Sequence, residues 1–498
     1  MTQHISTPGI RLTDPKAPLV FSEKMETELT HPKLLLFPKF IRERMAFGQL
    51  PGIRMGDIES YASSGGHYME FTAGPERGQY SGKVRVFLER PMRVEIRSSM
   101  GRDEAFEKQL VNVLLMTVQF FEEEIRASTL YLAFVPGSPK TAQLRTGASV
   151  LRKMFSGNLL SLFLLSIIIG TAIFYFLSSI GLGDFAPVVL IAFMLVLVLS
   201  AGRLSTLRSP WRIRKDARDV ILVQLTIPEG MLTKYVGEYR EKIKAVKERI
   251  YSMFLGRPDD ISAEKVSGLF AEVGLPTNTE DILVRRIDVY SMVENAAKKF
   301  SMDVPAIVIS SDPRPNAAAT GFTKRLGTMI ITMGLLVQLD REEIEVVIGH
   351  ELSHLRSGDP LILFSLVLME YFARVYVYGQ YLGSWFILYL LMVFWLIFFF
   401  GRFLETRADL EAALIIGKPK VMSEALKKIG FRRLVIEERF LEPGGSRFSE
   451  WLRFDPHPPL YFRIQRLEAL DVSNPPKHHF LDSVRAVASG FVRSRNVP

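Results

Sequence analysis

The chain has 498 residues, 48% hydrophobic, with 62 Lys and Arg against 53 Asp and Glu and no cysteine. That length allows two to four domains; the apolar content excludes a disordered chain, and the lack of cysteine excludes disulfides, thiolate metal sites and cysteine nucleophiles. A positive mean hydropathy beside 23% charged residues means that the apolar residues are concentrated in particular segments.

The opening stretch MTQHISTPGIRLTDPKAPLVF has no apolar core of the signal-peptide kind. Residues 1–150 read as a small cytosolic α+β domain. Lys83–Glu89 and Met92–Arg97 alternate apolar and polar as an antiparallel pair should, and Phe106, Leu110, Leu114, Phe121 and Ile125 mark one face of a helix over 104–126. Thr129–Val135 is expected to be another strand.

Next come the apolar segments. Leu159–Leu182 runs 24 residues without a charge, and Phe185–Ala201 adds 17 after Gly183-Asp184. Pro360–Gly401 carries only Glu370 and Arg374 and divides at Gly379–Ser384. Roughly 20 apolar residues cross a bilayer's hydrocarbon, so the expectation is four transmembrane helices in two hairpins, 155–202 and 360–401. A buried soluble helix is the competing reading, strongest for the third segment. Ten Lys and Arg flank the first hairpin within 139–158 and 202–219 while the two hairpin tips have none, which places both termini and the segment 203–359 in the cytoplasm of a multi-pass cell-membrane protein. The net charge of +9 then reflects topology and contact with lipid rather than nucleic-acid binding.

The segment 203–359 is expected to be mostly helical, with helices near 229–254 and 287–300, a strand at Ala306–Ser310 and another at Thr328–Met333. At its end, Leu336–Leu355 reads LVQLDREEIEVVIGHELSHL. On a helix His350 and His354 project from one face and can offer two imidazoles to one metal ion, with Glu351 beside them to accept a proton. Two solvated histidines on a polar face are the alternative, which the apolar flanks disfavour. Zinc would need a third protein ligand. Glu405, in the C-terminal part 402–498, is the candidate, with Asp409 four residues on to hold a ligand imidazole; a charged cap on the fourth span is the other reading. Two helices lie between His354 and Glu405, so the chain returns to the same side.

Asn316–Gly321 (NAAATG), Thr332–Leu335, Glu342–Asp359, Glu405-x-x-x-Asp409, and His457-Pro458 with Arg463 resemble the HtpX-like membrane metalloproteases, relatives of the CaaX prenyl proteases, over about residues 155–470. The resemblance implies zinc on His350, His354 and Glu405, Glu351 as general base and acid, Asn316 near a substrate-binding edge strand, and His457 as a stabiliser of the tetrahedral intermediate. Residues 1–150 have no counterpart in the short bacterial members. A free edge on the strand at Thr328, Met329 and Ile330 would hold an extended polypeptide by backbone pairing; an ordinary internal strand is the alternative. His478-His479 reads as a solvated tail.

The whole is expected to be a mainly α membrane protein with a cytoplasmic HExxH metalloprotease domain, a zinc endopeptidase acting on membrane or misfolded proteins. The alternatives are a catalytically silent membrane scaffold, a CaaX-type processing protease, and a transporter lined by Glu370 and Arg374.

Overall fold

In the computed structural model, described residues are 17–44, 53–136, 169–193, 211–254, 261–373, 381–434 and 447–495, apart from a few positions within them. The chain is mainly helical and divides into two compact units. The first holds residues up to Leu132 together with 222–254 and 259–285. These last two stretches follow the first apolar hairpin in the chain, so spatial contact rather than chain order defines the unit.

In this unit β1 (Leu19–Met25), β2 (Ile53–Met55), β3 (Glu59–Ser63), β4 (Gly66–Pro75), β5 (Gly82–Phe87) and β6 (Met92–Arg97) form a sheet with β1-β6-β5-β4-β2 in order and β3 also on β4. The expected pair is antiparallel with Val84 opposite Ile96 and Val86 opposite Val94. All four side chains are buried, as strict alternation in a half-buried sheet demands. Helix α1 (Glu104–Ala127) packs Phe106, Leu110, Leu114 and Phe121 into the same core. Asp103 caps its start by accepting from the Phe106 N–H at 3.0 Å. Three more strands, β7 (Thr129–Phe134), β9 (Asp219–Thr226) and β10 (Ile282–Asp288), form a sheet ordered β10-β9-β7. Helices α2 (Arg240–Phe254) and α3 (Ala263–Glu272) also belong to the first unit.

The second unit includes helical residues at 172–179 and 186–193 and, further along the chain, α4 (Val289–Lys299). It contains a four-stranded sheet of β8 (Arg212–Ile213), β11 (Ala306–Ser310), β12 (Ala317–Thr320) and β13 (Thr328–Thr332), ordered β12-β13-β11-β8. Here the expectation of a free edge at Thr328, Met329 and Ile330 needs correcting. β13 pairs with β11 in parallel and with β12 antiparallel, so both its edges are used. Met329 is fully buried and Thr328 nearly so. The outer strand on that side is β12.

Helix α5 (Arg341–Ser357) opens on a capping box formed by Asp340 and Glu343. It is followed by α6 (Asp359–Ala373), α7 (Phe386–Ile416), α8 (Pro419–Ile429), α9 (Leu460–Glu468) and α10 (His479–Arg495). Among the described residues only α7, 31 residues long, is long and apolar enough to cross a membrane. The segments 159–182 and 185–201 lie partly outside the described residues, and Arg374 wholly so. His478-His479 does not begin a solvated tail. His479 starts α10, which packs on α7 with Phe491 against Trp395 and Phe399 at ring separations of 6.2 and 5.4 Å. The apolar spacing within 480–491 had outweighed the two prolines before it.

Helix α8 is tied to α5 by a buried ion pair, Lys428 Nζ lying 2.6 and 2.8 Å from the two Glu343 oxygens. Burial pushes the Glu343 carboxyl up to about 7 even beside this ammonium. Lys428→Met leaves the acid without its counter-ion and should destabilise the fold by about 3–5 kcal/mol, read as a lowered midpoint of thermal unfolding in detergent. A carboxyl whose folded pKa exceeds its unfolded value binds protons better when folded, so its contribution falls as pH rises through that range. The Lys428→Met protein should therefore unfold at a lower temperature at pH 8 than at pH 6, and Glu343→Gln in the same chain should remove that difference.

Candidate metal centre

The site lies where α5 crosses α7. His350 and His354 sit one turn apart on α5, and their Nε2 atoms face each other at 3.1 Å. Glu405 on α7 reaches both, with Oε2 at 3.4 Å from His350 Nε2 and Oε1 at 3.5 Å from His354 Nε2. One donor atom from each of the three falls within 4.8 Å of the others. Glu351 follows His350 on the helix and is partly exposed.

Each imidazole is held from behind. His350 Nδ1 lies 3.0 Å from Asp409 Oδ1, and Asp409 in turn takes two hydrogen bonds of 2.7 Å from the Arg463 guanidinium. His354 Nδ1 lies 2.6 Å from Asp359 Oδ2, which also accepts from Arg407 Nη2 at 2.7 Å. Gly358 makes the second arrangement possible. It ends α5 in the left-handed conformation, φ 70°, and so turns Asp359 back toward His354. A carboxylate behind each ring puts the proton on Nδ1 and leaves a lone pair on each Nε2.

Two Nε2 atoms 3.1 Å apart, with a carboxylate alongside, can share one cation. Ligands at 2.0–2.1 Å from a tetrahedral ion stand about 3.3 Å apart, so the donors fit a divalent metal of the zinc type. Without one, protons compete for the place. Burial alone would lower the His350 imidazole, but Asp409 and Glu405 outweigh it and raise it to about 10.

His457 joins the group from the loop before α9. Its Nε2 is 3.6 Å from Glu405 Oε2, and Asp455 Oδ1 accepts from both its Nδ1 and its main-chain N–H at 2.9 Å. The neighbouring Glu405 carboxylate raises the pKa of this imidazole. Burial would raise the Asp455 carboxyl, yet His457 and Arg433 hold it well below the usual range. Asn316 immediately precedes the outer strand β12, which packs against α5. Its main-chain N–H donates to Thr332 Oγ1 at 2.9 Å and its carbonyl accepts from the Thr332 N–H at 3.0 Å.

The structure thus brings His350, His354, Glu405, Asp409 and His457 together, with Glu351 in line and Asn316 at the start of the edge strand. Thr328, Met329 and Ile330 lie one strand further in. Sequence reasoning passed over Asp359 and Arg407. The Ser-Gly-Asp run directly after the histidine helix was the available signal, since a glycine stop followed by an acid returns a carboxylate to the last turn.

The sequence is similar to known proteins over the part of the chain that carries this cluster. Residues 285–471 match peptidase family M48. The protease HtpX homologue of Neisseria meningitidis is 30% identical over 200 residues, spanning 36% of this chain and 71% of that protein. Protease HtpX of Nitrosococcus oceani is 30% identical over 206 residues, 36% of this chain and 69% of its own length. The solved structure of S. mikatae Ste24p aligns over 74% of this chain and 90% of its own, at 13% identity and a TM-score of 0.28, too slight a likeness to argue from. The bacterial relatives are covered over more than two thirds of their length, and the family match takes in both helices of the donor cluster. The chain belongs to peptidase family M48, as an HtpX-like metalloprotease.

Proposed function

We propose that the protein is an integral-membrane zinc endopeptidase that hydrolyses membrane or misfolded polypeptides in quality control. The single observation that carries this reading is the pair of facing Nε2 atoms, each made a metal donor by its own carboxylate–arginine pair, with Glu405 as third ligand. Zinc, when bound, supplies Lewis-acid activation of water and of the scissile carbonyl. Glu351 takes the proton of the attacking water and returns it to the leaving amine. His457 turns Nε2 toward Glu405 and is set to donate to the oxygen on which charge develops, with Asp455 fixing the ring. Asp409 and Asp359 hold the two ligand rings so that neither rotates as charge moves. The edge of β12, with Asn316 at its head, offers main-chain groups to an extended polypeptide, a mode that tolerates many sequences.

The purified protein in detergent should carry about one zinc per chain and cleave an unfolded polypeptide such as casein. Chelation should abolish cleavage and stoichiometric zinc should restore it. Zinc-loaded protein inert toward a broad peptide library would reject the reading in favour of a scaffold.

The proposal extends to topology: four spans in two hairpins, both termini and the metal centre cytoplasmic. It rests on the basic residues flanking the first hairpin and on the length of α7. In a chain free of cysteine, Gly183→Cys should react with an impermeant thiol reagent in intact cells, and Arg212→Cys should react only after lysis. The opposite pattern would put the site outside the cytoplasm.

A further inference from the structure

Arg402 lies on α7 one turn before Glu405 and is wholly buried. A guanidinium carries five N–H donors and no acceptor, so burial demands oxygens. Here they come from one short stretch of main chain. Nε donates to the Asp455 carbonyl at 3.1 Å, Nη2 to that of Arg453 at 2.6 Å, and Nη1 to that of Trp451. Three alternate carbonyls therefore converge on one cation, and His457 follows two residues after the last of them.

The neighbouring residue brings the same loop against the helix. A Cβ at Gly401 would come within 3.0 Å of Pro456 Cβ and 3.4 Å of its Cα. The loop continues through Pro456, Pro458 and Pro459, and prolines have no N–H with which to anchor their own main chain. The main chain leading into it is held through the carbonyls of Trp451, Arg453 and Asp455 by Arg402, while Arg433 holds the Asp455 side chain at 2.7 Å. The helix that carries the third metal donor thus also carries the group that fixes His457, whose Nε2 stands 3.6 Å from Glu405.

We propose that Arg402 is a positioning residue for His457, setting the imidazole at working distance from the metal centre. The proposal rests on the reading of His457 as the donor to the developing oxyanion. Lysine cannot substitute, because a single ammonium does not reproduce a planar fork reaching three carbonyls.

The test is a double-mutant cycle of wild type, Arg402→Lys, His457→Ala and the double variant, with kcat, KM, zinc content and thermal midpoint measured for each. His457→Ala should lower kcat by about 10²–10³-fold. Arg402→Lys should lower it by about 10²-fold, the usual cost of a displacement of about 1 Å, with KM and zinc content held. In the His457→Ala background, Arg402→Lys should cost less than about twofold, because residues acting through one group are not additive. Equal slowing in both backgrounds would mean that Arg402 merely supports the fold, and an unchanged kcat in Arg402→Lys would overturn the proposal outright. If Arg402→Lys does not fold, Gly401→Ala displaces the same loop and should give the same non-additive cycle. A His457→Ala enzyme as fast as wild type would remove the donor reading itself, and the positioning role with it.

Discussion

Glu351→Gln should retain its zinc and its fold while turning over substrate at least about 10²–10⁴-fold more slowly. The amide is nearly isosteric with the acid but has no basic oxygen of useful strength, so water loses its proton acceptor and the leaving amine its donor. In the proposed mechanism both steps pass through this one side chain, which puts the expected loss at the upper end of that range. Zinc content should be unaffected, because the donor group is His350, His354 and Glu405. The measurement is single-turnover cleavage of an unfolded polypeptide at matched zinc occupancy. Chelator-sensitive activity persisting in Glu351→Gln would transfer the base role to another carboxylate.

Glu405→Ala should show the converse, loss of most bound zinc and of activity together. Two imidazoles alone make an incomplete site for zinc, which takes three protein ligands in catalytic centres. The rear carboxylates should give an intermediate result. Asp359→Asn keeps all three donors but removes the charge that fixes the His354 tautomer, and metal affinity should fall about 10–100-fold. Competition with a zinc chelator of graded strength would order wild type, Asp359→Asn and Glu405→Ala. Full zinc in Glu405→Ala would point to another acid of α7, Glu411, as ligand.

What could be read without coordinates was local. The histidine pair is a one-turn spacing, and Ala306–Ser310 and Met92–Arg97 are short runs whose alternation or apolar density declares a strand. Glu405 and Asp409 were legible for the same reason, four residues apart on a helix continuing an apolar stretch. Thr328–Ile330 misled because pairing partners are non-local. Nothing in TMIIT tells whether one edge or both are occupied, and the answer lay in Ala317–Thr320, a run whose small residues give a weak strand signal. Arg402 was hidden for a related reason. An arginine at the end of an apolar helix usually marks the water interface, and only the fold reveals the carbonyls gathered around it. The pairing of Arg407 with Asp359 likewise spans 48 positions.

Helix α7 runs unbroken from Phe386 to Ile416, so its apolar stretch and the carboxylate of Glu405 belong to one rigid rod. Glu405 comes four residues after Gly401, roughly 6 Å further along at 1.5 Å per residue. The third candidate donor is thereby fixed about one helical turn beyond the end of the apolar segment. With that stretch in a bilayer, as proposed, the donor would stand at a set height above the hydrocarbon, and it could not rise or sink without the whole helix.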